Sequence, residues 1–206
     1  MNLFKSIHES NNHIITPINI STMTVIGKLE NVFDINEFYN ENIFNLHIDK
    51  DLYVENKESK FTKKGKPIKS FRNQITFKSL TRKCNIKIFC NGNLQMTGIK
   101  SNEDIELFSK KISGILKTNI HSIEVVMINV VYKFLDRQLH LYDIYDKLIS
   151  LDLNTHYTPE IYPGLKLKIH TATALIFATG SVIISSKCIQ DTIHIIDELF
   201  LLFNKV

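Results

Sequence analysis

Residues 156–186 read HYTPEIYPGLKLKIHTATALIFATGSVIISS. The stretch Thr173–Phe177 has the β-branched and apolar content of a strand, and Ser181–Ser185 is its return. The three residues between them, Ala178-Thr179-Gly180, form a hairpin turn with glycine where a positive φ is needed. Ahead of them Tyr162-Pro163-Gly164 opens another strand, Leu165–Ile169, in which Lys166 and Lys168 alternate with apolar residues. Each strand can pair with its neighbour in sequence, and the apolar segment Ile189–Phe203 reads as a helix covering them. Its expected inner face is Ile189, Ile193, Ile196, Phe200 and Phe203, with Asp191 and Asp197 outward.

The first half of the chain repeats this layout. Ile86-Lys87-Ile88-Phe89-Cys90-Asn91-Gly92-Asn93-Leu94-Gln95-Met96-Thr97-Gly98 matches the later hairpin at an offset of 88 residues (177 minus 89). Phe71 precedes it as Tyr162 precedes the other, at an offset of 91 (162 minus 71). Each half opens with an apolar strand carrying an asparagine, Asn19 and Asn129, at an offset of 110 (129 minus 19). That offset implies roughly twenty extra residues between Asn19 and Phe71. Self-similarity at this length signals two tandem repeats related by a pseudo-twofold, not a solenoid.

With these blocks in place, the chain resembles the TATA-box-binding protein family. The second half carries Tyr157, Pro159, Glu160, Ile161, Tyr162, Pro163, Gly164 and Leu165, then Leu175, Ile176, Phe177, Thr179 and Gly180, at the family's spacing. The internal duplication is also the family's. The divergence and the charged excursion at 50–69 resemble the related proteins of large nucleocytoplasmic DNA viruses. The fold implied is α+β: a pseudo-twofold saddle of two tandem repeats, a curved antiparallel sheet with helices on the convex face. The expected organisation is an arm at 1–15, a first repeat at 16–118 with its insertion near 50–69, and a second repeat at 119–206.

Composition bounds the alternatives. The chain has 206 residues, of which 44% are hydrophobic and 22% charged, as in a globular protein. Net charge is only +4, but its distribution is uneven. Between Lys60 and Asn102 there is no acidic residue, while Lys60, Lys63, Lys64, Lys66, Lys69, Arg72, Lys78, Arg82, Lys83, Lys87 and Lys100 are all basic. Such a block suits a polyanion, or a solvated edge. Three cysteines without C-x-x-C spacing read as free thiols in a reducing compartment. Together with the lack of a signal peptide or spanning segment, this gives an expectation of an intracellular protein: nuclear, or in a cytoplasmic viral factory. The eight histidines show no ligand spacing, so neither metal nor cofactor is expected. Asp143 and Asp146 near His140 read as a solvated helix face, and no nucleophile or phosphate-loop motif is present, so no enzymatic activity is expected.

Local signals fill in the rest. Pro17–Glu30 reads as the first strand, Asp34 as the cap of a helix at 35–46 (Ile35, Phe38, Tyr39, Ile43 and Leu46 on one face), and Leu52–Glu55 as part of a hairpin. Ser101-Asn102-Glu103-Asp104 has capping-box form before Ile105, Phe108, Ile112 and Ile115 at helical spacing, in a helix ending near Lys117. Ile123–Phe134 reads as a strand and 140–150 as a helix with Leu141, Ile144, Tyr145 and Leu148 inward.

If helices cover one face, alternation turns Asn85, Lys87, Phe89, Gln95 and Thr97, and Thr173, Leu175, Phe177, Ile183 and Ser185, to the other. A register slip of one residue would exchange the faces. The resemblance implies that this second face enters the DNA minor groove. Phe71, Phe89, Tyr162 and Phe177 map to aromatic wedges between base steps, and Asn19 and Asn129 to donors near the dyad. Val131, Leu175, Ile183 and Thr97 map to floor contacts and Lys168 to a phosphate contact. Lys87 and Gln95 stand where the family has apolar residues, Ser21 replaces a valine, and Phe77 takes the place of a phosphate-binding arginine.

The partners implied are double-stranded promoter DNA and, through Thr158-Pro159-Glu160-Ile161, a basal initiation factor of the B type and the RNA polymerase machinery. Glu160 and Ile161 are the matching partner-binding positions, where the family has E-P-E-L. The expected function is therefore a monomeric basal initiation factor that bends promoter DNA with relaxed TATA preference. A different reading is a protein-interaction adaptor that has lost DNA binding.

Overall fold

The structure, a computed structural model, describes residues 16, 18–31, 34–35, 37–38, 50–54, 73–134 and 138–203. The expected arm at 1–15, Phe71 and most of the 50–69 excursion lie outside the described residues.

The chain runs β1 (Asn19–Leu29), β2 (Leu52–Val54), β3 (Gln74–Ser79), β4 (Asn85–Phe89), β5 (Asn93–Ile99), α1 (Asn102–Leu116), β6 (Ile120–Lys133), α2 (Leu141–Ser150), β7 (Asn154–His156), β8 (Leu165–Ile169), β9 (Ala172–Ile176), β10 (Ser181–Ser186) and α3 (Ile189–Phe203). The ten strands are hydrogen-bonded in the order β2-β3-β4-β5-β1-β6-β10-β9-β8-β7. Two compact units result, residues 24–124 and residues 1–23 with 125–206. The division falls inside β1 and β6, whereas the sequence repeats meet at 118/119. The reason is strand length: β1 and β6 have 11 and 14 residues, and they hydrogen-bond within each unit. Thr16 N donates to Lys133 O in one, and Glu30 N to Asn119 O in the other.

In the 24–124 unit, β2 to β5 form a meander with strict alternation. Leu52, Val54, Ile75, Phe77, Ile86, Ile88, Leu94 and Met96 are buried, while the residues between them are partly exposed. From α1, Ile105, Phe108 and Ile112 join this core. Ser101 caps α1 by accepting from Asp104 N at 3.2 Å, and Lys117 ends it in a left-handed conformation (φ 52°). Asp34 Oδ1 accepts from Glu37 N at 3.1 Å, as expected of a helix cap, and the buried Phe38 meets Phe77 edge-on. Tyr39, Ile43 and Leu46 lie outside the described residues.

β2 corrects one expectation. Tyr53 pairs with Lys78 on β3 just as Asn154 on β7 pairs with Lys168 on β8. β2 is thus the edge strand of the repeat; relative to the second half, four extra residues precede it (29 to 53 against 134 to 154) and eleven follow it (53 to 78 against 154 to 168). β7 is not legible in the sequence, because Asn-Thr-His carries no apolar alternation.

In the other unit the order is β6-β10-β9-β8-β7, and α3 packs on β9 and β10. Ala172, Ala174, Ile176, Val182 and Ile184 are fully buried beneath it. The inner face of α3 is Thr192, Ile195, Ile196, Leu199, Phe200 and Phe203; Ile189 and Ile193 are only half-buried, contrary to expectation. Ser186 and Cys188 O bind the buried Thr192 hydroxyl, which turns the first helical turn inward at Thr192. α2 buries Leu141, Ile144 and Leu148, leaving Tyr145 half-buried.

Candidate nucleic-acid interface

The face opposite α3 is built of two cross-strand rows. One is apolar beyond its first member: Lys166 opposite Leu175, Leu175 opposite Ile183, Ile183 opposite Val131. The next is polar: Lys168 opposite Thr173, Thr173 opposite Ser185, Ser185 opposite Asn129. Ser185 Oγ donates to Asn129 Oδ1 at 2.6 Å, and Ser21 Oγ donates to Asn129 O at 3.1 Å.

At the end of this face Tyr162 and Phe177 form an edge-to-face pair with ring centroids 6.1 Å apart. Gly164 makes room for it, since a Cβ there would lie 2.8 Å from Tyr162 Cε1 and 3.0 Å from Phe177 Cε1. Gly180, at φ 81°, closes the hairpin by donating its N–H to Phe177 O at 2.9 Å. Tyr162 is 45% exposed, a large value for a ring in a well-packed unit.

The 24–124 unit presents the same parity with different chemistry. Thr76 faces Lys87 and Lys87 faces Gln95; Lys78 faces Asn85 and Asn85 faces Thr97. Phe89 ends β4 as Phe177 follows β9, and Gly92 N donates to Phe89 O at 2.9 Å. Phe89 lines an open groove with Ile26, Lys28, Gln95 and Glu124.

Two site expectations shift once strand register is known. Leu29 N donates to Gly92 O at 2.8 Å, and Phe134 N donates to Gly180 O at 3.0 Å. These bonds make Leu29 and Phe134 equivalent, an offset of 105 (134 minus 29). Asn19 then corresponds to Glu124, and Asn129 to Thr24, so the two asparagines are not repeat partners. Matching by residue type misses the register. Likewise Lys168 corresponds to Lys78, since their partners Thr173 and Asn85 are 88 apart (173 minus 85). Phe77 is 0% exposed on the helix side, so the first repeat keeps a lysine at this position instead of the expected departure.

Asn19 is exposed on β1. Glu160 and Ile161 lie in a turn in which the N–H groups of Ile161 and Tyr162 both donate to Thr158 O at 3.0 Å; Ile161 is 84% exposed. Among the described residues no group of three or more His, Cys, Asp or Glu side chains is placed to hold a metal ion, and no helix is long and apolar enough to cross a membrane.

The fold and the site define an α+β protein of duplicated strand–helix repeats that offers a sheet face ending in an aromatic pair. Residues 124–206 match the family model of transcription factor TFIID (or TATA-binding protein, TBP). The chain is 31% identical over 122 residues to the TATA-box-binding protein of Methanococcus vannielii, covering 58% of this chain and 64% of that one. It is 33% identical over 111 residues to the TATA-box-binding protein of Methanothermococcus thermolithotrophicus, covering 52% and 61%. The matches thus span under two thirds of these relatives' length. The solved Methanococcus jannaschii TBP has the same fold, with a TM-score of 0.68 at 22% identity, over 93% of this chain and 100% of that one. The chain thus has the fold of a TATA-binding protein, and its second half is similar in sequence to that family.

Proposed function

We propose that this protein is a DNA-binding transcription initiation factor whose sheet face enters the minor groove. The observation that carries this reading is the Tyr162–Phe177 pair seated over Gly164 beside the apolar row Leu175, Ile183 and Val131. Rings at the end of such a row can enter a base step. Unstacking costs about a few kcal/mol per step, offset by the wider contact that bent DNA allows. The family is itself the standard case of such minor-groove kinking, so the mechanism comes from the resemblance and the chain supplies the rings.

Phe89 and Phe71 serve the same role for the first repeat, Thr97 adds a floor contact, and Lys78 and Lys168 meet phosphates. The Lys87–Gln95 pair replaces the apolar pair Leu175–Ile183, which relaxes selectivity for A·T and moves affinity onto phosphate contacts. Glu160 and Ile161 dock a basal factor of the B type and, through it, the polymerase, with the protein acting as a monomer.

Bending of end-labelled duplexes, read by energy transfer, tests this. The wild-type chain bends duplex DNA and Phe177→Ala does not; equal bending by both overturns it. The same Lys87–Gln95 pair favours a second reading, an adaptor that binds initiation proteins without DNA, which predicts no duplex binding at any salt concentration.

A further inference from the structure

The edge strand β7 extends both rows of the sheet face by one position: His156 is paired directly with Lys166, and Asn154 with Lys168. Directly paired side chains stand on one face, and Lys166 is itself opposite Leu175. His156 therefore joins the row of Leu175, Ile183 and Val131, while Thr155, opposite the buried Leu167, turns to the core. His156 and Lys166 are both exposed, and His156 Nε2 lies 3.0 Å from Thr158 Oγ1.

The charge at this edge has one sign. Neither row contains an acidic residue. Among the described residues Lys166 and Lys168 have no ion-pair partner. α2, with Asp143, Asp146 and Lys147, approaches β7 from the other side, where its Tyr142 and Tyr145 meet Tyr157. Glu160 is exposed in the turn beyond Thr158. A protonated His156 faces Lys166, and like charges directly opposite each other are destabilising unless an anion sits between them. Both nitrogens of an imidazolium donate, so one can hold Thr158 Oγ1 while the other reaches an oxyanion. A sheet whose centre rests on a groove floor brings its edge to the phosphates that wall the groove. Resting on the minor-groove reading above, we infer that His156 and Lys166 form a phosphate-binding site at the sheet edge, and that duplex binding takes up a proton at His156.

Fluorescence anisotropy of the full chain on a duplex selected from a random pool, at about pH 8 and about pH 5.5, spans the range in which histidine changes charge. Wild-type affinity should rise about tenfold at the lower pH, the scale of one charge-assisted hydrogen bond. Its slope of log affinity against log salt should steepen there by about one. His156→Gln should lose that extra rise and steepening, and Lys166→Met should lower the slope by about one at both pH values. Thr158→Ala, which removes the hydroxyl beside the ring and keeps the ring, should retain the wild-type pH dependence. Equal pH dependence in wild type and His156→Gln, an unchanged slope in Lys166→Met, or a pH dependence lost in Thr158→Ala overturns the inference and leaves the minor-groove reading intact. A wild-type chain that binds no duplex at either pH overturns both.

Discussion

Ser185 Oγ on β10 donates to Asn129 Oδ1 on β6 across a directly paired position, at 2.6 Å. The bond engages the amide oxygen of Asn129 and turns its NH2 group away from Ser185. On the proposed minor-groove reading, in which this face would meet A·T acceptors, that is the useful orientation. Ser185→Ala releases the amide to rotate; duplex affinity measured by fluorescence anisotropy should fall by about 1 kcal/mol. Unchanged affinity would remove Asn129 from the interface.

Gly164→Ala places a methyl against both Tyr162 and Phe177. The rings are half-exposed and can shift, so stability should change little, while the ring geometry is lost. We expect a reduced bend angle with an unaltered urea midpoint, and a binding loss below the roughly 2–4 kcal/mol expected for Phe177→Ala as a central aromatic anchor. A Phe177→Ala loss under about 0.5 kcal/mol would exclude Phe177 from the interface.

Replacing Lys87 by Leu and Gln95 by Ile copies the Leu175–Ile183 pair into the first repeat. The double variant should discriminate more strongly for A·T. Its slope of log affinity against log salt should fall in magnitude by about one, the value of one phosphate contact. An unchanged slope would show that Lys87 meets no phosphate.

Asp51 ties the start of β2 to the β3–β4 turn. It accepts from Ser79 Oγ at 2.8 Å, from Thr81 N at 3.1 Å and from Thr81 Oγ1 at 2.7 Å, and it pairs with Lys111 Nζ at 3.3 Å. Partial burial alone would raise its pKa; the bonds from Thr81, Ser79 and Lys111 outweigh that and lower it to about 2. A depressed folded-state value stabilises above the unfolded pKa, and the gain is lost as pH falls through the folded value. Asp51→Asn should cost about 1–2 kcal/mol at neutral pH. The gap to wild type should close between about pH 4 and pH 2 in denaturant titrations.

Among the described residues the Tyr132 hydroxyl is buried without a hydrogen-bond partner, and burial pushes its pKa up. Its ring packs on Phe134 and Phe200 and is needed for volume alone. Tyr132→Phe should therefore stabilise by about 1 kcal/mol, read as a melting-temperature rise of about 2–4 °C.

The residue pattern alone determined the local elements and the duplication. Alternation in TALIF and IKIF set the strand faces, glycine at 92 and 180 set the hairpins, and Ser101 set the start of α1. These signals are legible because strand period, turn φ and helix capping act over a few residues. Tertiary structure decided what depends on register between distant strands. The equivalence of Leu29 and Phe134 made Glu124, not Asn129, the counterpart of Asn19, and strand pairing made Lys78, not Phe77, the counterpart of Lys168. Register between strands so far apart in the chain is set by the burial pattern and turn geometry of both partners together, so matching single residue types along the chain does not reveal it.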